Sequence, residues 1–234
     1  LCYATVDTDA VGSCRLPASC CGVSGMKPTY GLLSTTGILE GIEAGEEILR
    51  LGHTAVMVRS IEDAAIVLTE LADTEISQGE FKDNYSAAFG ALENPRIGVV
   101  ANFTATDEVR ENFHQAVAVF RSLGLATSDV EVPFESAKFD IKTIDEDRRN
   151  ISRTLFKGVD VLLLPTVAET TPTIEEAKDR EKSKGQNPPA FPPDNTFFCN
   201  YFGLPAISVP CGFDHNGLPL GLQIVGRQWD DARV

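Results

Sequence analysis

Long apolar runs are missing from this 234-residue chain, and no segment reaches the uninterrupted length that a bilayer span requires. Positive charge is scarce as well. Lys and Arg number 20 against 34 Asp and Glu, a net charge of −14. Affinity for nucleic acid or acidic membranes rests on basic patches, so both are excluded as main partners. The opening Leu1-Cys-Tyr-Ala-Thr-Val6 has neither the basic start nor the apolar stretch of a signal peptide. The six cysteines, Cys2, Cys14, Cys20, Cys21, Cys199 and Cys211, match no zinc spacing. A chain of this size needs no disulfide framework, and reduced thiols in a cytoplasmic setting are expected. No internal repeat is present.

What remains is an ordinary globular composition, 43% hydrophobic and 23% charged, long enough to bury a full core. Ser60-Ile-Glu-Asp63 predicts a capped helix through Ala72, with Ile61, Ala64, Ala65, Leu68 and Leu71 on one face. Ile97-Gly-Val-Val100 reads as a short buried strand. A second helix is predicted over 107–123, with Val109, Phe113, Val117, Phe120 and Leu123 inward and Gly124 as its stop. Another strand is expected at Val130 to Pro133, a polar helix at Thr143 to Lys157, and a buried strand at Val159 to Leu164. Strands Ala206 to Cys211 and Leu220 to Val225 are joined through the hairpin-type turn Asp214-His-Asn-Gly217. Strands and helices that alternate, with apolar rather than alternating strands, predict an α/β sheet covered on both faces. The acidic stretch from Glu40 to Glu47 reads as a solvated loop. The segment 166–195 is an irregular excursion, with a charged helix candidate at Glu175 to Lys184 and the proline-rich run Asn187 to Pro193.

Chemistry concentrates in Asp9-Ala-Val-Gly-Ser-Cys-Arg-Leu-Pro-Ala-Ser19, followed by Gly25-Met-Lys-Pro-Thr-Tyr-Gly31. A turn of small residues ending in a serine suits a tight structural turn. It also suits a nucleophile beside converging backbone N–H groups. Two further blocks are Val159-Asp-Val-Leu-Leu-Leu-Pro-Thr166 and Gly203-Leu-Pro-Ala-Ile-Ser-Val-Pro-Cys-Gly-Phe213, the latter running on to Asn216-Gly-Leu-Pro-Leu-Gly-Leu-Gln-Ile-Val-Gly-Arg227. Together, in this order, they resemble the amidase signature family over about half the chain. The resemblance implies a single domain over 1–234, a mixed sheet wrapped by helices, and amide C–N hydrolysis through a Ser–cis-Ser–Lys triad. No metal or organic cofactor is implied.

Residue by residue, Ser13 matches the acylated nucleophile, and the N–H groups of Ala10, Val11, Gly12 and Ser13 match the oxyanion loop. Thr8 stands where the family places a supporting hydroxyl. Asp9 and Arg15 flank the nucleophile and are expected to pair across the turn. Asn195, Phe198, Cys199 and Asn200 occupy positions where relatives line the substrate pocket. Val11 replaces a glycine, so a negative φ is expected there if the loop is intact. Cys14 is a thiol beside the nucleophile without an obvious His partner. His53 reads as structural, and His114 and His215 as surface residues. No Gly-x-Ser-x-Gly elbow surrounds Ser13, which argues against a Ser-His-Asp hydrolase.

The lysine and bridging serine of the family lie upstream of the nucleophile, and no lysine or serine precedes Ser13 here. Lys27 belongs to the Lys-Pro-Thr block and does not replace that base. The chain also opens without methionine, within what reads as a strand, and the expectation is an N-terminally truncated amidase-type domain. The stretch between Pro133 and Arg149 is short for the family, which usually carries a helical section there. Three functions are consistent with these letters. One is an amidase acting on a small-molecule amide; another is the amidase component of a glutamyl-tRNA amidotransferase; the last is an inactive relative. A homodimer or a partner chain is expected to be able to cover the site.

Overall fold

A computed structural model of the chain describes residues 2–38, 40–41, 43, 45–72, 84–88, 94–134, 140, 142–183 and 194–234. The proline-rich run 187–193, and residues 135–139 and 141 of the shortened stretch, lie outside them. In chain order the elements are β1 (Ala4–Asp9), α1 (Arg15–Cys21), β2 (Ser24–Lys27), α2 (Glu46–Leu51), β3 (His53–Val58) and α3 (Ile61–Leu71). A 3-10 turn at Tyr85–Ala88 leads to β4 (Ile97–Val100), α4 (Asp107–Ser122), β5 (Thr127–Val130), α5 (Ile144–Leu155) and β6 (Val161–Pro165). The last elements are α6 (Ile174–Ser183), α7 (Phe197–Tyr201), β7 (Ala206–Phe213), β8 (Pro219–Gly226) and a 3-10 turn at Asp231–Arg233.

The strands form one eight-stranded mixed sheet in the order β1-β3-β2-β7-β8-β6-β4-β5. The pairs β4/β6 and β4/β5 are parallel, as their helical crossovers require, and the remaining pairs are antiparallel. The expected α/β architecture is therefore present. Its apolar strands explain the burial. Every residue of β4 and β6 is buried, and Leu162, Leu163 and Leu164 form the floor of a core that includes Phe113, Phe156 and Phe198. A second, smaller cluster gathers Met26, Val56, Leu68 and Ile207 on the far side of the antiparallel half.

Local signals acted as expected where they were strong. Ser60 Oγ accepts the Asp63 N–H at 3.1 Å and starts α3, and Gly124, at φ 81°, follows the end of α4. Asp214 Oδ1 accepts the N–H groups of Asn216 and Leu218, both at 2.8 Å, which closes the β7–β8 hairpin. Two expectations need correction. The strand placed at 130–133 runs instead from Thr127 to Val130, at the sheet edge, where one neighbour is enough and polar residues are tolerated. Leu71 and Leu123, placed in the helix cores, are 39% and 69% exposed because each sits at a helix end. All six cysteines are free. Among the described residues no helix is long and apolar enough to cross a membrane.

Candidate active site

Strand β1 ends at Asp9, and the chain turns through Ala10, Val11, Gly12 and Ser13 into the short helix α1. The turn is organised by the Asp9 carboxylate, which is completely buried. Asp9 Oδ1 accepts the Gly12 N–H at 2.8 Å, and Oδ2 accepts those of Cys14 and Arg15 at 3.3 and 3.4 Å. The expected Asp9–Arg15 pair forms, as a two-pronged contact at 3.0 Å for both Nε and Nη2, with neither side chain exposed.

A buried ion pair survives only if its remaining donors and acceptors are satisfied. Here they are. Arg15 Nη1 donates to Gln223 Oε1 at 2.5 Å and to the Thr196 carbonyl at 3.2 Å, and Nη2 donates to Asn200 Oδ1 at 2.6 Å. Asn200 Nδ2 in turn donates to the Asp9 carbonyl at 2.7 Å and to its Oδ1 at 2.9 Å. Gln223 Nε2 donates to the Asn195 carbonyl at 2.7 Å. Burial alone would raise the Asp9 pKa, but the Arg15 guanidinium outweighs it and holds the carboxyl well below the usual range.

Gly12 is buried at φ 126°, and a Cβ there would lie 2.5 Å from Thr196 Oγ1. Val11 is not among the residues with positive φ, so valine is accommodated one position before the strained one. Ser13 emerges exposed. The N–H groups of Ala10, Val11 and Ser13 make no hydrogen bond among the described residues, whereas that of Gly12 is already engaged by Asp9. Of the four N–H groups expected to form an oxyanion loop, Gly12's is thus the one engaged within the described residues. Thr8 is exposed at the end of β1. Cys14 is buried, and burial followed by the nearby Asp9 charge pushes its thiol far up, so it is not a reactive alternative to Ser13.

The residues expected on a pocket wall are buried beside the turn. Asn195, Phe198, Cys199 and Asn200 are all at most 1% exposed. Asn195 brackets the main chain of Thr104, with bonds of 3.2 and 2.8 Å. Phe198 stacks edge-on against Phe134 at 5.3 Å, and Cys199 fills the core. Phe198, Cys199 and Asn200 are carried inward by α7, and Asn195 lies just before it; Asn200 is a strut of the Asp9–Arg15 network and contributes no surface.

Three buried polar groups near the turn carry no site role in the sequence pattern. Lys27 is fully buried, with Nζ donating to the carbonyls of Leu204 at 2.5 Å and Pro28 at 3.1 Å. Burial, with Arg15 nearby, pulls its pKa down to about 7. His53 is 3% exposed, Nδ1 lies 2.7 Å from the Leu51 carbonyl, and burial followed by the Lys27 charge keeps the ring neutral. Gln223 stands mid-strand in β8. The available signal was polarity inside an apolar block, as in Leu222-Gln-Ile224. Among the described residues no cluster of His, Cys, Asp or Glu is arranged to hold a metal.

An eight-stranded mixed sheet with helices packed on it defines an α/β protein, and comparison with known proteins narrows the class. The amidase family profile matches residues 1–144 and 136–234, and the chain belongs to the amidase family. It is 27% identical to "Putative amidase AmiD" of Mycobacterium tuberculosis, over 99% of this chain and 58% of that protein. It is 28% identical to a component of the glutamyl-tRNA(Gln) amidotransferase of Brevibacillus brevis, over 99% of this chain and 61% of that protein. The chain thus spans about three fifths of the length of these relatives. Among solved structures, a 6-aminohexanoate cyclic dimer hydrolase has the same fold at a TM-score of 0.73 and 22% identity, covering 99% of this chain and 62% of that one. The corresponding amidotransferase component from Thermotoga maritima reaches 0.74 at 23% identity, covering 99% and 60%. The mycobacterial alignment runs over 288 positions, so that relative carries polypeptide without a counterpart in these 234 residues. The two profile segments overlap at residues 136–144.

Proposed function

We propose that this is the nucleophile-bearing part of an amide hydrolase, with Ser13 as the acyl acceptor. One observation carries the reading: an exposed serine ends a turn whose buried side is held by Asp9, while among the described residues the N–H groups of Ala10, Val11 and Ser13 are unengaged. In such a turn the Ser13 hydroxyl attacks the amide carbonyl, and the carbonyl oxygen gains negative charge that the free N–H groups stabilise. Collapse of the tetrahedral adduct expels the amine, its nitrogen receiving the proton taken from Ser13, and leaves an ester on Ser13; water then cleaves it to release the acid and restore the hydroxyl. The donors are held by the Asp9–Arg15–Asn200 network and need not reorganise as charge develops. Thr8 and Arg15 act as supports.

The hydroxyl proton needs an acceptor. Lys27 cannot serve: its Nζ is enclosed and tied to two carbonyls. The reading therefore places the base, the family's lysine acting through a bridging serine, on polypeptide other than the described residues, of the same protein or of a partner chain. The chemistry needs no cofactor. A second reading, the glutamine-hydrolysing component of an amidotransferase, is supported by the similarity to the Brevibacillus protein. In that case glutaminase activity emerges only when the partner chains are added.

Fluorophosphonate labelling with mass mapping tests the main reading. With the polypeptide that carries the lysine and bridging serine present, modification is expected at Ser13 and absent in Ser13→Ala; labelling that persists in the variant removes Ser13 from the mechanism.

A further inference from the structure

Beside the turn lies a cavity of about 90 Å³. Thr8 and Ala10, on the approach to Ser13, form one side of it, and Ile38, Ile48, Leu49 and His53 contribute to the rest. Among the described residues no formally charged side chain lines it, although the chain is 23% charged. His53 stays neutral there, with Nδ1 turned to the Leu51 carbonyl. Ile48 and Leu49 stand on α2 at 45% and 51% exposure, so apolar surface faces water beside this opening. Glu43, Glu46 and Glu47 are exposed along the same segment.

Size and charge each narrow the occupant. An engineered apolar cavity of roughly 150 Å³ admits benzene, and a space of about 90 Å³ is smaller than that. It suits a chain of about three or four carbons. An ionised group entering an uncharged lining would lose its hydration without gaining a partner, and an anion would also meet the exposed glutamates. Ala10 both lines this space and carries one of the free N–H groups, so a group seated here adjoins the place where a carbonyl oxygen would be held.

We propose that this cavity is a substrate subsite for the short, uncharged aliphatic group of a small carboxamide, and that it disfavours glutamine and aromatic amides. The proposal rests on the amide-hydrolysis reading of Ser13. Its test is a binding measurement that needs no turnover. The 234-residue protein, labelled with nitrogen-15, is titrated with butyramide, glutamine and benzamide while its amide resonances are followed. Butyramide is expected to shift Ala10, Leu49 and Gly52 saturably, each methylene beyond acetamide tightening binding about fourfold. Leu49→Trp, which crowds the cavity, should weaken butyramide at least tenfold. Unmoved resonances with butyramide, or tighter binding of glutamine or benzamide at these residues, would overturn the proposal, whatever the folding of the variant. Butyramide binding that persists while Ser13 resists the fluorophosphonate even with the base-bearing polypeptide present sinks the hydrolase reading alone. Labelling of Ser13 without butyramide binding sinks the subsite alone.

Discussion

Replacing Lys27 with methionine isolates the cost of a buried ammonium group. Lys27 is fully enclosed, and burial is the first cause of its pKa falling from 10.5 to about 7. Below pH 7 both folded and unfolded chains hold the proton, and the folded state bears the whole desolvation penalty. Between pH 7 and 10.5 the unfolded chain keeps a proton that the folded one has released, so stability rises with pH at up to about 1.4 kcal/mol per unit. Above that window neither state is charged and the rise stops. From about pH 7.5 to about pH 9.5 the contribution amounts to about 2.5 kcal/mol. Methionine matches the length but cannot titrate. It leaves the Leu204 and Pro28 carbonyls without their donor, a loss that does not depend on pH and costs about 1–3 kcal/mol per group. Urea unfolding of both proteins at the two pH values separates these effects, since groups common to both cancel in the difference. The natural chain should gain about 2.5 kcal/mol more than Lys27→Met over this interval. Equal gains would show that Lys27 stays protonated in the fold and refute the burial argument.

Two other perturbations address the turn. Asp9→Asn leaves the Arg15 guanidinium buried without a counter-charge and should cost about 3–5 kcal/mol. Because the Asp9 carboxyl titrates below the ordinary range when folded, its contribution is complete above the unfolded value of about 3.9 and is lost as pH falls through the folded one. The acid limb of a urea-derived stability curve should therefore flatten in Asp9→Asn, and an unchanged limb would count against the pairing. Thr196 Oγ1 donates to the Val11 carbonyl at 2.6 Å, opposite the Gly12 N–H that Asp9 holds. Thr196→Val frees that peptide and should slow fluorophosphonate labelling of Ser13 at least tenfold, while Thr196→Ser restores the rate. Equal rates in the two variants would mean that the bond does not set the geometry of the turn.

The parts of the molecule that could be read from the sequence are those in which cause and effect lie close together. Helices α3 and α4 follow from an apolar stripe with a cap or a glycine stop inside one short window. The β7–β8 hairpin follows from Asp214, whose carboxylate bonds only to the next few residues. Strand β5 escaped because Thr127-Ser-Asp-Val130 has no apolar alternation. Its place comes from pairing with β4 at the sheet edge, a property of the assembled sheet. Leu123 was misplaced for a related reason: periodicity continues to a helix end after the neighbouring core has stopped.

The candidate site divides along the same line. Ser13, Asp9 and Arg15 lie within seven residues, and their turn is a local pattern that a family resemblance can mark. What fixes its geometry is distant. Arg15 is held by Asn200, 185 positions on, and by Gln223, 208 positions on. No spacing rule connects a guanidinium on α1 to amides on α7 and β8. The four residues expected on the pocket wall lie near the turn, but on its buried side. Sequence adjacency to an apolar block does not say which face of α7 meets the core, whereas burial at 1% or less does. The same logic separates Gly12 from its neighbours as an oxyanion donor. Its N–H is taken by Asp9, whereas those of Ala10, Val11 and Ser13 make no hydrogen bond among the described residues.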